Sequence, residues 1–227
     1  MMKTPMKQKI FFLISILIVL INCQKVQAQN AIKAIKSENS INDLLINRTP
    51  LEIAEALKPK NSTIVHDVIK TDIWGFKNAI IAFYETKFVD SVSTTQKYER
   101  QYVEAFIYFQ QKESWQKVLI YKFEDDNVFT EIRSVFFANA DKDAAKELII
   151  LSSCTHRLQY LYEGVEYSTS FYDDIKSSKL QKELIYLDKI SEKLDGGFEG
   201  YLDDNPNSKA RFTTAKQVKL ELKILGF

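Results

Sequence analysis

The chain has 227 residues, 45% hydrophobic and 27% charged, with 31 lysines and arginines against 30 aspartates and glutamates. This length can bury a sizeable core without covalent help. The near-even charge balance excludes a general electrostatic attraction to nucleic acid or to anionic lipid.

At the N-terminus, Lys3, Lys7 and Lys9 precede an apolar stretch from Ile10 to Ile21, and Val26-Gln27-Ala28 has the small-residue spacing that signal peptidase requires. The pattern predicts a removable export signal over residues 1–28, with the mature chain starting at Gln29. The stretch is short for a mature membrane span, which takes roughly 20 apolar residues. A second reading takes Leu20-Ile21-Asn22-Cys23 as a lipobox and Cys23 as a lipid anchor. Asn22 stands against it, at a position that normally carries Gly, Ala or Ser. Loss of Lys3, Lys7, Lys9 and Lys25 turns the formal charge from +1 to −3 and leaves Cys154 as the one remaining cysteine, so no intrachain disulfide is expected. The predicted location is therefore the periplasm or the cell exterior.

Residues 29–75 read as an N-terminal helical segment. Ser40-x-x-Asp43 and Thr49-Pro50-x-Glu52 both resemble N-terminal caps, the second with proline at the first helical position. Pro59 predicts a stop near Lys58. Residues 76–227 read as a sheet domain with C-terminal helices. Six runs rich in Ile, Val, Phe and Tyr, from "AIIAFYETKFV" to "VEYSTSFY", are separated by short polar breaks. They predict about six antiparallel strands, covered on both faces because apolar residues occupy both alternating positions. From Leu184 the spacing of Leu187, Ile190 and Leu194, and later of Val218, Leu222 and Leu225, predicts helices packed on the sheet. The "GGFEG" run between them reads as a helix cap and tight turn with Phe198 as a buried plug. The expected fold class is α+β.

Between the fourth and fifth strands, Asn139, Asp141, Asp143 and Glu147 occupy positions 1, 3, 5 and 9 of a loop, with the backbone carbonyl of Ala145 at position 7. Calcium takes six to eight oxygens at about 2.3–2.6 Å, and alternate residues of a tight loop can point inward together. The loop is not an EF-hand, because Ile150 stands where a bidentate glutamate belongs. It resembles the integrin-like FG-GAP calcium loop, which sits in a β-hairpin and precedes an apolar strand. Asn139 replaces the leading aspartate, Glu147 is a methylene longer than the family's aspartate, and Ala144 replaces a glycine. Two readings stay open: a weak calcium site, and a metal-free turn that keeps the hairpin. Six strands are too few for the closed propeller that such loops usually serve. The combination of "ANADKDAAKELIIL", "STSFYDD", "GGFEG" and "AKQVKLELKILGF" is similar to a group of exported envelope proteins of the Bacteroidota. That resemblance spans roughly Phe76 to Phe227 and implies a sheet followed by helices, with no activity to carry over.

An enzyme is the alternative. Ser152, Cys154 and His156 alternate along one strand and share a face. Parallel side chains on one strand make a poor nucleophile and base pair, and no third orienting group is identifiable. Tyr98, Tyr102, Phe106 and Tyr108 suggest a glycan or peptide groove if they face water, and core if they do not. Asp90-Ser91-Val92 matches a short O-glycosylation pattern at Ser91. The sequence thus points to an exported, non-catalytic binding module of the cell envelope, with calcium as its one candidate cofactor. Its partner would be an envelope protein or a glycan. The alternative is a periplasmic hydrolase built on Ser152, Cys154 and His156.

Overall fold

The computed structural model describes residues 45, 48–91, 97–111, 114–123, 130–158, 160–176, 181–203, 205 and 207–227, with side chains omitted at 90, 91, 97 and 98. The predicted export signal, Cys23, the Ser40 cap and the side chains of Ser91 and Tyr98 lie outside them. The chain divides into two units, Met1–Arg48 and Thr49–Phe227, and every element below belongs to the second.

The first helix, α1 (Pro50–Leu57), is capped as its sequence predicts. Glu52 N–H donates to the Thr49 hydroxyl at 3.3 Å, and the Glu52 carboxylate accepts from Thr49 N–H at 2.8 Å. Lys58 is extended, as a residue before proline prefers. The helical segment expected over 29–75 does not extend beyond Leu57. Two short strands follow, β1 (Ser62–Ile64) and β2 (Ile69–Thr71), which have little apolar periodicity of their own and are held by pairing with the next strand.

The six predicted runs all form strands: β3 (Lys77–Ser91), β4 (Lys97–Gln111), β5 (Ser114–Phe123), β6 (Thr130–Ala138), β7 (Glu147–Leu158) and β8 (Tyr162–Tyr172). They belong to two sheets rather than one. The first runs β1-β3-β4-β5, with β2 also on β3; the second runs β6-β7-β8 and then β9 (Gly197–Leu202), and all the strand pairs are antiparallel. The described chain is thus predominantly antiparallel β with three short helices.

Period-two alternation decides which side chains meet. Ala79, Ile81, Phe83, Ile107, Val118 and Ile120 of the first sheet share one buried cluster with Leu148, Ile150 and Tyr172 of the second. On the other face of the first sheet, Ile80, Tyr84, Phe106 and Tyr108 are also buried. There the Tyr84 hydroxyl donates to Ala54 O at 2.9 Å and the Tyr108 hydroxyl to Leu57 O at 3.2 Å. These are carbonyls of the last turn of α1, which have no partner within the helix. On the outer face of the second sheet, Phe136, Ile149 and Phe171 share a cluster with Leu194, Phe212, Val218 and Leu222. Val218 and Leu222 lie on α3 (Ala215–Ile224), and Leu194 caps α2 (Asp188–Lys193).

The C-terminal third departs from its predicted pattern. Leu184 and Leu187 precede α2 on an extended segment that touches both sheets. Leu119 N–H of β5 donates to Lys182 O, and Leu184 N–H returns a bond to Leu119 O. A few residues on, Asp173 N–H donates to Ile185 O and Leu187 N–H to Phe171 O. The "GGFEG" run is not a helix cap but the start of β9 (Gly197–Leu202). Gly200 sits opposite Gly164 on β8, and a Cβ on either would collide with the facing backbone. The two strands can approach this closely only because both residues are glycine.

Burial holds the Tyr84 phenol at about 12 and pushes those of Tyr108 and Tyr172 up as well. The unfolded chain releases these protons near pH 10 while the folded chain keeps them, so stability falls as pH rises above about 10. Tyr84→Phe should cost about 1–3 kcal/mol at neutral pH, because Ala54 O loses its donor. It should also reduce the alkaline loss by about 1.4 kcal/mol per pH unit between pH 10 and 12. Urea denaturation at neutral and alkaline pH measures both; equal slopes for the two proteins would show that Tyr84 is not held protonated.

Candidate metal centre

The β6–β7 turn is built by its own side chains. Asp141 N–H donates to Asn139 Oδ1 at 3.3 Å, Asp143 N–H to Asp141 Oδ1 at 2.7 Å, and Ala145 N–H to Asp143 Oδ1 at 2.7 Å. Asn139 Nδ2 closes the turn by donating to Asp143 O at 2.9 Å. Each alternate oxygen-bearing side chain therefore folds back over the backbone two residues on, as short polar side chains do in turns. Ala144 is not in the left-handed region, so alanine stands in the glycine position without backbone strain. From outside the turn, the Trp74 indole N–H donates to Lys146 O at 2.9 Å, and its ring stands edge-on to Phe137 at 5.6 Å.

One oxygen each of Asp141, Asp143 and Asp173 lie within 4.8 Å of one another. Two oxygens that share an ion at about 2.4 Å can be at most about 4.8 Å apart, so this is the span a calcium shell allows. Asp173 was not anticipated from the sequence. Its only sequence signal is the acidic pair that ends "STSFYDD", and it reaches the turn because β8 lies beside β7. The register pairs Leu148 with Tyr172, so the chain leaves β8 at Asp173 beside the start of β7.

Glu147, the first residue of β7, is fully buried. Its Oε2 accepts a short hydrogen bond from Ala140 N–H, while its Oε1 has no partner among the described residues. Burial raises its carboxyl to about 7; the Ala140 bond opposes the shift, and the nearby Asp141 and Asp143 add to it. Burial and the neighbouring Asp173 likewise push Asp174 up. Among the described residues, none of the ion pairs involves Asp141, Asp143, Glu147 or Asp173. Three converging carboxylate oxygens are donors of the kind a hard cation takes. Of the predicted ligands, Asp141 and Asp143 converge here with Asp173, while Glu147 lies near them without joining the group. Asn139 and the amide of Ala145 are engaged in forming the turn.

The alternative site lies farther along β7, on the face toward the other sheet. Ser152 is buried opposite Ser168, and the Cys154 sulfur lies 3.4 Å from Thr130 Oγ1. His156 Nε2 stands 2.8 Å from Glu166 Oε2, a contact that lacks hydrogen-bond geometry. Glu166 is a carboxylate near the imidazole that the sequence did not reveal. The suggested aromatic groove is largely core, since Phe106 and Tyr108 are buried and Lys122 lies 3.8 Å over the ring of Tyr102. No described helix is long and apolar enough to cross a membrane.

The half-buried Cys154 thiol should label slowly in the folded protein and fast after unfolding, with His156→Ala leaving the folded rate unchanged. Rapid labelling of the folded chain that His156→Ala abolishes would identify a working thiol and imidazole pair. No protein-family model matches this chain, and no curated protein or solved structure matches it either, so the reading of its function rests on this geometry.

Proposed function

We propose that this chain is an exported, non-catalytic binding module of the cell envelope whose β6–β7 turn holds a calcium ion. The observation that carries the reading is the convergence of Asp141, Asp143 and Asp173 beside the buried, half-satisfied carboxylate of Glu147. Asp141, Asp143 and Asp173 are like-charged groups close together at one end of a sheet, and a divalent cation offsets their repulsion. The ion would rigidify one end of an α+β frame of sheets with helices packed on them, presenting a surface to an envelope protein or a glycan. The carbonyl of Ala145 and water would complete the shell, as calcium needs more oxygens than four carboxylates offer singly. Export is supported by residues 1–28 alone.

Melting in chelator and in several millimolar calcium tests the metal reading, for the wild type and for Asp141→Ala. A site in the extracellular range, with a Kd of roughly 10⁻⁴ to 10⁻³ M, should stabilise the wild type by about 1–2 kcal/mol, or several degrees. Asp141→Ala should lose the shift. Superimposable wild-type curves in the two buffers would leave only an acidic turn. Intact mass of the envelope-derived protein should correspond to a chain starting at Gln29; a diacyl or triacyl mass on Cys23 would replace soluble export with lipid anchoring.

A further inference from the structure

The end of the β7–β8 hairpin carries side chains that folding alone does not explain. Among the described non-glycine residues, Asn61, Asn78 and Tyr160 have positive φ, with Tyr160 at 66°. Asparagine tolerates this left-handed region, whereas a bulky aromatic residue is disfavoured there. Burial does not compensate, because Tyr160 is 81% exposed. Backbone strain held by a residue that packs so little is a pointer to function.

The strands set complementary groups beside it. Arg157 on β7 pairs with Glu163 on β8, and Glu163 with Tyr201 on β9, so the three form one row across the sheet. Arg157, Leu158, Tyr160, Tyr162, Glu163 and Tyr201 line an open depression of about 570 Å³, room enough for a small ligand. Arg157 Nε lies 3.6 Å from Glu163 Oε1, and both side chains are largely exposed. At that spacing they do not form a close bidentate pair, so the guanidinium keeps N–H donors and the carboxylate keeps lone pairs for a ligand. We propose that this depression binds a neutral oligosaccharide, its tyrosine rings stacking on sugar faces while Arg157 and Glu163 bond sugar hydroxyls. The proposal rests on the binding-module reading above and needs no calcium.

The ligand class follows from the lining. Exposed aromatic rings call for a ligand with apolar faces, and a donor beside an acceptor calls for hydroxyls that both accept and donate. A sugar ring carries C–H faces and a rim of such hydroxyls. The charges balance: Arg157 faces Glu163, and on the same side of β9 Lys209 stands 3.8 Å from Glu199. Such a rim gives an acidic glycan no net attraction. A protein partner fits less well, since the centres of protein interfaces are depleted of charged residues, and here a charged pair shares the depression with the rings.

Calorimetry and saturation-transfer NMR of the mature chain with chitohexaose, cellohexaose and mannohexaose test the proposal, in chelator, with polygalacturonate oligomers as the acidic control. At least one neutral hexasaccharide should bind, and more tightly than the control. Tyr160→Asn and Tyr201→Ala should each weaken it by about tenfold or more. Tyr160→Asn should melt no lower than the wild type, because asparagine accepts the left-handed backbone; a lower melting temperature would give the ring a packing role and overturn the argument from strain. Unchanged affinity in both variants would place the sugar elsewhere and overturn the site. Binding to none of the neutral sugars would overturn the site and leave a protein partner for the binding-module reading. Binding to vesicles of phosphatidylethanolamine and phosphatidylglycerol, with none to the sugars, would overturn it in favour of a lipid surface. New reducing ends in the bound sugar would overturn the non-catalytic reading instead, and weaker binding by the two variants would still establish the site.

Discussion

The structure depends on one apolar layer, the contact between two antiparallel sheets. Phe83, Ile107, Leu148, Ile150 and Tyr172 are wholly buried in it. Burying a side chain of this size is worth about 1.5–3 kcal/mol. Neither sheet is closed, and each leaves strand edges that must be paired or covered. The segment Lys182–Leu187 meets this need by bonding β5 on one side and the end of β8 on the other, while Leu184 enters the layer itself. Its polar backbone would be costly so close to the core if those bonds were missing.

The position of the acidic cluster follows from the same arrangement. β7 is the most completely buried strand of the second sheet, with Glu147 to Ser153 all enclosed. A strand buried on both faces has no solvated position for its first residue, so Glu147 enters the interior as a carboxylate. One of its oxygens is satisfied by Ala140 N–H at the start of the turn. The other has no partner among the described residues. An unpaired buried charge is among the costlier features a fold can carry.

Much of the local structure was legible in the sequence. The six strand runs were visible because each alternates or fills both faces with β-branched and aromatic residues. The cap on α1 was visible because Thr49, Pro50 and Glu52 satisfy backbone donors within three residues. The capping box on α3, between Thr214 and Gln217, follows the same rule but was not among the caps read from the sequence. The acidic turn was legible because Asn139, Asp141 and Asp143 each bond the backbone two residues on, without help from the rest of the chain.

What the sequence determined by itself is therefore what depends on neighbours within a few residues: strands, caps, the acidic turn and the charge pattern of the N-terminus. The tertiary structure decided the rest. The division of the strands between two sheets depends on pairing between distant segments, which composition does not encode. Leu184 and Leu187 have helical spacing, yet they lie on an extended segment because bonds to β5 and β8 outweigh a weak local preference. "GGFEG" became a strand because Gly164 stood ready to receive Gly200. Asp173 joined Asp141 and Asp143 because β8 pairs with β7 and ends at Tyr172 beside Leu148, a proximity fixed by strand pairing and by no local rule.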